Sequence, residues 1–441
     1  MPRIKIEHLA RIEGSAGLEV VLDPSGRVQE VILKSEIFRG FERFVRGRPA
    51  LEMPFIAGRI CGICAEAHTL ASLQALDEIF STRPSANVVR IRKIYFLSGF
   101  LRDHLTVVSL FGAPDFGGER KSSTALSFLK ESGRLRPFLR LREKLNRTLE
   151  LISGRSFQGV GGLPGDWARA LSKEEVQEIR RLAERIRKET RDYALSLVRE
   201  FSLGETLPPR PLLALEGGFT EGPLALFFPG GRKRKFKDYR KVLREEEPQT
   251  DGLRPTHLFS GEAYLVGPLA RFFLWPPPEG GPEDLQARLR ECLEQQEGRP
   301  VELPHLLRIY ECLLAARELE KTAQALKPHR PSAEEKRPQK AEGLGLVEAP
   351  RGLLVHHYRV DEKGYLQQVN ILTPTAQNVK ALKKDLEKSL EGFKPKNFQK
   401  LAEQAEKVVR SYDPCIPCML HIMIPHNRIR LFSLTLLNRT F

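Results

Sequence analysis

Four cysteines form two matching pairs near the two ends of this 441-residue chain, with spacing suited to metal binding or redox chemistry. Cys61 and Cys64 lie in the segment "RICGICAEAH", and Cys415 and Cys418 lie in the segment "DPCIPCMLH". Each pair is a C-x-x-C motif with a histidine shortly after it. Four thiolates make a soft, electron-rich donor set that suits zinc, nickel, copper(I) or an iron–sulfur cluster.

The separation of the pairs weighs against two common cysteine sites. A structural zinc ribbon has its pairs close together in sequence, because the metal organises a small local fold. A thioredoxin-like thiol site needs one C-x-x-C motif within a βαβ unit. The cysteines alone do not identify which metal would be bound. The other two cysteines, Cys292 and Cys312, lie in helical patterns typical of buried core thiols.

The bulk composition is that of an ordinary globular protein, for which we expect neither nucleic-acid binding nor a transmembrane helix. The chain is 41% hydrophobic and 29% charged, and it lacks an uninterrupted apolar run of roughly 18 residues that would span a membrane. Its first residues lack the apolar core of a signal peptide, so we expect a cytoplasmic location, or export alongside a partner that carries the signal. The net charge of +15 is partly local, in the basic run 230–241 and the polar linker 327–340. Elsewhere Lys and Arg alternate with Glu along helices, which is typical of a solvated surface.

The hydrophobic pattern predicts an α+β fold that is mainly helical and has small β-hairpins. Alternating apolar residues flank the turns "DPSGR" (23–27) and "DEKG" (361–364), so a hairpin is predicted at each. A helical pattern runs from about 88 to 201 and is broken by a glycine-rich loop at 153–167. Further helices are predicted over 67–80, 283–296, 304–326 and 397–412.

These elements are expected to form a single multi-lobed subunit. Its predicted regions are an N-terminal part with the first cysteine motif (1–87), a helical middle (88–326) that is irregular over 202–281, a part with the second hairpin and second cysteine motif (341–421), and a C-terminal extension (422–441).

Both cysteine segments resemble motifs of the large, catalytic subunit of nickel–iron hydrogenases. Other segments are similar to that family's motifs and follow in its order: "RIEG" (11–14), "IFRGFE" (37–42), "RDHLTVVSLFGAPDF" (102–116), "EAPRG" (348–352) and "ILTPTAQN" (371–378). The residues "HHY…TAQN" resemble those of the cytoplasmic, cofactor-linked branch of this family. The resemblance implies reversible, heterolytic oxidation of H2 to protons and electrons. It also implies the family's fold, a central helix bundle with small peripheral hairpins and sheets.

The resemblance assigns the four cysteines to one buried Ni–Fe(CN)2(CO) centre. Cys61 and Cys415 would be terminal nickel ligands. Cys64 and Cys418 would bridge the nickel to an iron that carries carbon monoxide and cyanide.

The resemblance also implies roles for residues around the metals. Glu13 would relay protons from Cys415, although on sequence alone it is a solvated hairpin glutamate. Arg351 would overhang the two metals, with Asp103 and Asp413 holding its guanidinium. For Asp103 an exposed position on a helix is the alternative.

Further residues match positions that contact the cofactor or a second ion. Thr375 would donate a hydrogen bond to one cyanide, and Pro350 would also line the cofactor. Glu42 and His421 would bind a structural Mg²⁺ or similar divalent ion near the C-terminus. His68 is expected to lie behind the ligands or in the core rather than on a metal.

Electrons must leave such a site through another subunit. With four cysteines committed and two isolated, this chain lacks a conventional four-cysteine iron–sulfur site, so a small iron–sulfur hydrogenase subunit is the expected partner. Diaphorase, flavin or other electron-transfer subunits are further candidates. Residues 422–441 resemble the tail that a maturation endopeptidase removes after insertion factors deliver nickel.

Three rival functions and two departures from the family pattern remain. The rivals are a non-catalytic relative such as a complex I subunit, which lacks the cysteines, a hydrogen sensor, which typically lacks the tail, and a zinc-binding or nucleic-acid module. Ser15 stands where the family usually has histidine, and the 154–165 loop lacks the family's His-Pro.

Overall fold

Helices supply most of the frame that holds the cysteine segments. The protein is described here by a computed structural model, which covers residues 3–34, 40–112, 115, 124–198, 204–246, 255–275, 285, 289, 298–332, 337–391, 393 and 398–419. Its α-helices are α1 (Phe41–Phe44), α2 (Met53–Ala57), α3 (Ala65–Ile79), α4 (Ala86–Thr106), α5 (Ala125–Glu131), α6 (Leu135–Ser153), α7 (Lys173–Val198), α8 (Pro268–Leu274), α9 (Leu303–Gln324), α10 (Pro374–Ser389), α11 (Phe398–Tyr412) and α12 (Ile416–Met419). Two 3₁₀ helices (Ala50–Glu52 and Tyr239–Lys241) and a π-helical segment that continues α4 (Val107–Gly112) accompany them.

Helix α4 lies at the centre of the helical group. It begins at Ser85, whose side chain accepts a hydrogen bond from the backbone N–H of Val88. It packs against α3, α6 and α9, and α9 packs in turn against α7. The surrounding helices bury almost every residue of the second half of α4. As a result, the polar residues Asp103 and His104 near its end lie in the interior.

The strands form small antiparallel sheets. The three-stranded sheets have the orders β1-β2-β3, β7-β8-β9 and β13-β14-β15, and the two-stranded ones pair β4 with β5, β6 with β12 and β10 with β11. The bounds are β1 (Arg3–Ile6), β2 (Gly17–Leu22), β3 (Val28–Lys34), β4 (Gly162–Leu163), β5 (Asp166–Trp167), β6 (Thr206–Leu207), β7 (Leu212–Leu215), β8 (Leu224–Phe227), β9 (Lys233–Phe236), β10 (Leu243–Glu245), β11 (Thr256–Leu258), β12 (Arg299–Pro300), β13 (Glu342–Ala349), β14 (Gly352–Val360) and β15 (Leu366–Leu372).

The sheet β13-β14-β15 packs closely against helix α3. Strands β13 and β14 both contact this helix. The approach depends on Gly345, because a β-carbon there would lie 1.9 Å from the carbonyl oxygen of Ala71 on α3. The contact matters for the site because α3 begins next to Cys64 and β14 begins next to Arg351.

The structure confirms most of the predicted elements. Both hairpins form, as β2-β3 and β14-β15, and helices α9 and α11 occupy the predicted ranges. Strands β1 and β13, which add a third strand to each hairpin, were not predicted. The helix predicted over 283–296 falls almost entirely outside the described residues. In the described part of the chain, no helix is both long enough and apolar enough to cross a lipid bilayer.

Substitution of Gly345 tests the contact between α3 and the sheet. Gly345→Ala would force the β-carbon into the Ala71 carbonyl, and we expect it to lower the free energy of unfolding by about 1–3 kcal/mol. Gly218→Ala is the matched control, because a β-carbon at Gly218 meets no atom within 4 Å. Denaturant unfolding followed by circular dichroism compares the variants. Equal stability of the two would contradict the tight contact.

Candidate metal centre

The four predicted cysteines meet at one point in the interior. Their sulfur atoms all lie within 4.8 Å of one another. The Sγ–Sγ distances are 3.2 Å for Cys61 and Cys415, 3.5 Å for Cys64 and Cys418, and 3.0 Å for Cys415 and Cys418. No side chain of the four is more than 6% exposed. A buried cluster of four free thiols is the donor set that nickel and other soft metals bind.

Two segments from opposite ends of the chain carry these cysteines. Cys64 occupies the position that caps the start of helix α3. Cys415 follows the end of α11 and pairs with the backbone at Glu13. The N–H of Ile416 donates to the carbonyl oxygen of Glu13 at 3.0 Å. Gly14 permits this pairing, because its φ is +90° and a β-carbon would lie 2.7 Å from Pro417.

The protonation of the thiols also fits a bound cation. Hydrogen bonds from Cys415, Cys418 and Cys64 lower the pKa of Cys61. Hydrogen bonding with Cys415 raises the pKa of Cys64, and burial raises the pKa values of Cys415 and Cys418. The sulfur atoms are thus close enough for a thiolate to accept hydrogen bonds from neighbouring thiols. Metal binding releases such protons, since thiolates rather than thiols are the ligands.

A buried arginine lies beside the cluster. The guanidinium of Arg351 donates from Nη1 to Asp103 Oδ2 at 2.9 Å, from Nη2 to Asp413 Oδ1 at 3.0 Å, and from Nε to the Asp413 carbonyl at 2.7 Å. Burial opposes its charge, but the two aspartates raise the pKa of Arg351 well above its usual value. The guanidinium is therefore charged and fixed in orientation.

The two aspartates that hold this guanidinium are themselves buried. Asp103 is 1% exposed, so the structure does not place it on an exposed helix face. Burial outweighs the attraction of Arg351 and raises the pKa of Asp103 to about 8, and burial also raises the pKa of Asp413. Asp103 Oδ1 and Asp413 Oδ2 have no hydrogen-bond partner among the described residues, so each can still accept one.

Glu13 lies next to the first cysteine motif rather than on a solvated hairpin. It is half-buried, and its Oε1 lies 3.6 Å from the place where a β-carbon of Gly62 would stand. Burial raises the pKa of Glu13, and the negative charge of Cys61 raises it further. A carboxyl group with a raised pKa holds a proton more readily than an ordinary carboxylate, so beside thiols it can take part in proton transfer.

The remaining predicted residues have mixed outcomes. Thr375 Oγ1 accepts a hydrogen bond of 3.0 Å from the backbone N–H of Cys415, which leaves the hydroxyl proton to donate elsewhere. Pro350 is buried directly before Arg351. Glu42 lies in α1, where its Oε1 accepts from the N–H of Ile371 at 3.3 Å. His421 and the extension 422–441 lie outside the described residues.

His68 lies behind the ligands, as expected. Its Nε2 is 3.5 Å from Cys418 Sγ, and its Nδ1 is 3.0 Å from Nε2 of His356. The second histidine was not predicted as part of the site. Its place on a buried strand beside another histidine was the available signal.

The sequence analysis also missed a buried ion cluster around Arg271. This guanidinium donates to Glu311 at 2.5 and 2.7 Å and to Glu348 at 3.1 Å. It also donates to the carbonyls of Ala349 at 2.9 Å and Pro350 at 2.8 Å, so it fixes the backbone that leads into the next residue, Arg351. A glutamate directly before "APRG" in an apolar strand was the signal that could have indicated it.

Comparisons with known proteins agree with this geometry. A family model described as nickel-dependent hydrogenase matches residues 39–116 and 253–421, more than half of the chain. The chain is 29% identical to a protein of Methanothermobacter thermautotrophicus that is named as a component of an F420-non-reducing hydrogenase, over 97% of each protein. It is 28% identical to the alpha component of sulfhydrogenase 2 of Pyrococcus furiosus, over 95% of this chain and 99% of that one.

Solved structures show the same fold. A chain of an NAD+-reducing [NiFe]-hydrogenase matches with a TM-score of 0.82 and 24% identity, over 96% of this chain and 100% of that chain. A [NiFeSe]-hydrogenase from Dm. baculatum matches with a TM-score of 0.77 and 22% identity, over 95% and 100% of the two chains. The expected α+β fold with a helical centre is confirmed.

The ion cluster makes stability depend on pH. His104 Nε2 donates to Glu311 at 2.8 Å, and burial lowers the pKa of His104 from 6.5 to about 4. Between these values the unfolded chain binds a proton at His104 and the folded chain does not. Acidification from pH 6.5 to 4 should therefore cost on the order of 2–3 kcal/mol of stability through this residue.

The variant His104→Gln keeps an N–H donor for Glu311 but does not titrate. We expect its stability to fall less steeply than that of the unaltered protein over the same pH range. Unfolding in denaturant at several pH values gives the two slopes. Identical slopes would show that His104 contributes nothing to the pH dependence.

Proposed function

The chain belongs to the nickel-dependent hydrogenase family, as the large subunit, and from this premise we propose that it oxidises H2 reversibly to protons and electrons. The reaction takes place at a nickel–iron centre held by the four cysteines. The observation that carries this proposal is the convergence of four buried sulfur atoms from two distant segments within 4.8 Å. When bound, the metal pair supplies the redox chemistry that splits hydrogen heterolytically.

The cysteines divide into two kinds of ligand. Cys61 and Cys415 would hold nickel as terminal ligands, and Cys64 and Cys418 would also hold an iron that carries one carbon monoxide and two cyanides. The sulfur atoms of Cys61 and Cys415 lie 3.2 Å apart, and those of Cys64 and Cys418 lie 3.5 Å apart. Each kind of ligand thus includes one cysteine from each end of the chain.

Glu13 moves the proton that the reaction releases. It takes the proton from the sulfur of Cys415 and passes it outward. Two observations support this role: its backbone pairs with that of Cys415, and burial raises the pKa of its carboxyl group. The half-buried position gives the carboxyl group a way to reach solvent.

Arg351 supplies a fixed positive charge over the metals. Asp103 and Asp413 hold its guanidinium from two sides, so the charge needs no reorganisation during the reaction. Thr375, whose oxygen accepts a hydrogen bond from the backbone N–H of Cys415, would donate a hydrogen bond from its hydroxyl to a cyanide nitrogen. Pro350 lines the same side of the cofactor.

The electrons leave through a partner. The sequence has six cysteines, four of which are assigned to the metal pair, so a small iron–sulfur subunit supplies the electron path. The names of the similar proteins, which call them subunits of hydrogenases, support a multi-subunit complex. Diaphorase or flavin subunits are further partners of this complex, which we place in the cytoplasm.

We also propose a second metal ion and a maturation step. Glu42 and His421 bind Mg²⁺ or a similar divalent ion. Insertion factors deliver nickel, and an endopeptidase then removes residues 422–441.

Metal content tests the ligand assignment directly. We expect Cys415→Ser, in the purified complex, to lose most of its nickel and all hydrogen-dependent dye reduction, because one of four thiolate ligands is gone. Cys312→Ser is the control: it alters another buried, free cysteine, which the proposal does not use. Elemental analysis gives nickel and iron per large subunit. Full nickel in Cys415→Ser, or zinc alone in the unaltered complex, would contradict the proposal.

The proton role of Glu13 is tested separately. Glu13→Gln keeps the size and polarity of the side chain but cannot take up a proton. We expect hydrogen oxidation and H2/D2 exchange with water to fall about 100-fold or more, with nickel and iron content unchanged. Exchange at the unaltered rate would assign the proton path to another residue.

A further inference from the structure

A chain of buried hydrogen bonds leads from the cysteine cluster to a tyrosine. Nε2 of His68 lies 3.5 Å from Cys418 Sγ, and Nδ1 of His68 lies 3.0 Å from Nε2 of His356. Nδ1 of His356 is hydrogen-bonded in turn to the hydroxyl of Tyr358. None of the four side chains is more than 2% exposed. We call this chain of contacts the relay.

The fold explains why these groups align. His68 lies in the first turn of α3, and strand β14 packs against that helix. Side chains two residues apart on a strand share a face, so His356 and Tyr358 both point into the core. His357, between them, has its Nδ1 3.2 Å from the hydroxyl of Tyr239, in a separate contact.

Metal binding would fix the direction of every hydrogen bond in the relay. A metal-bound Cys418 thiolate has no proton and can only accept, so His68 Nε2 must be the donor. A neutral His68 that donates from Nε2 accepts at Nδ1, and its partner there is His356 Nε2. Nδ1 of His356 is then an acceptor as well, and Tyr358 donates its hydroxyl proton to it.

We propose that His356 and Tyr358 are positioning residues that fix the tautomer of His68, so that one N–H always points at the sulfur of Cys418. A hydrogen bond to that sulfur withdraws electron density and weakens its donation to the iron. The relay would thereby tune the electronic state of the metal pair from a residue two contacts away. This inference rests on the proposed function, because Cys418 must be a ligand of iron.

Infrared spectroscopy of the complete, metal-loaded complex tests the relay. In Tyr358→Phe the terminal donor is lost, and a larger fraction of His68 can adopt the other tautomer. We expect the carbon monoxide band to move to lower wavenumber, because an iron with a more strongly donating sulfur passes more electron density to that ligand. Nickel and iron content should stay unchanged.

Tyr239→Phe is the matched control. It removes the same hydroxyl from Nδ1 of the neighbouring His357, and this pair has no contact with Cys418 in the relay. We expect its bands to stay at the positions of the unaltered complex. Equal shifts in both tyrosine variants, or none in either, would overturn the relay.

A second pair of variants decides the question if Tyr358→Phe does not accumulate. His356→Leu removes both contacts and should shift the band, whereas His356→Gln offers a donor and an acceptor and should shift it less. Unshifted bands in both would overturn the proposal. A complex whose unaltered form has no carbon monoxide or cyanide bands would instead refute the proposed cofactor itself, which is a separate result.

Discussion

The short pairing between the two ends of the chain is the contact on which the rest of the site depends. The N–H of Ile416 donates to the carbonyl of Glu13, and this places Cys415 and Cys418 opposite Cys61 and Cys64. Neither C-x-x-C motif alone provides four sulfur donors. The large helical domain between them therefore acts as the spacer that brings both motifs to one buried point, with α4 and α3 at its centre.

Buried charge imposes the second constraint. Arg351, Asp103 and Asp413 come from a turn after β13, from α4 and from the end of α11, so their pairing joins three separate parts of the fold. Burying such charges costs several kcal/mol per ion, and loss of one partner would leave the others uncompensated. The cluster around Arg271 adds a further buried arginine, which binds the backbone just before Arg351. The contacts of Arg271 with this backbone thus help to fix the orientation of the Arg351 guanidinium.

The sequence predicted the local elements and the site better than it predicted the connections between them. Alternation about "DPSGR" and "DEKG" was sufficient for both hairpins, because turn residues and period-two burial are local signals. Strand β13 was missed, since its glycines weaken the strand pattern and are explained only by the close approach of α3 to Gly343 and Gly345. The burial of Asp103 and the contact of His68 with His356 depend on tertiary packing. The adjacent histidines 356 and 357 on a buried strand could have indicated a polar site there, but not its partner on α3.

The meeting of the two ends also determines when the site can exist during synthesis. The ribosome synthesises the chain from its N-terminus at about 5–20 residues per second, so the first cysteine pair emerges long before the second. Cys61 and Cys64 must therefore remain without their partners until α11 has formed and the last segment arrives. Assembly of the complete four-sulfur site is consequently a late, post-translational event, and any earlier metal on the nascent chain would bind an incomplete ligand set.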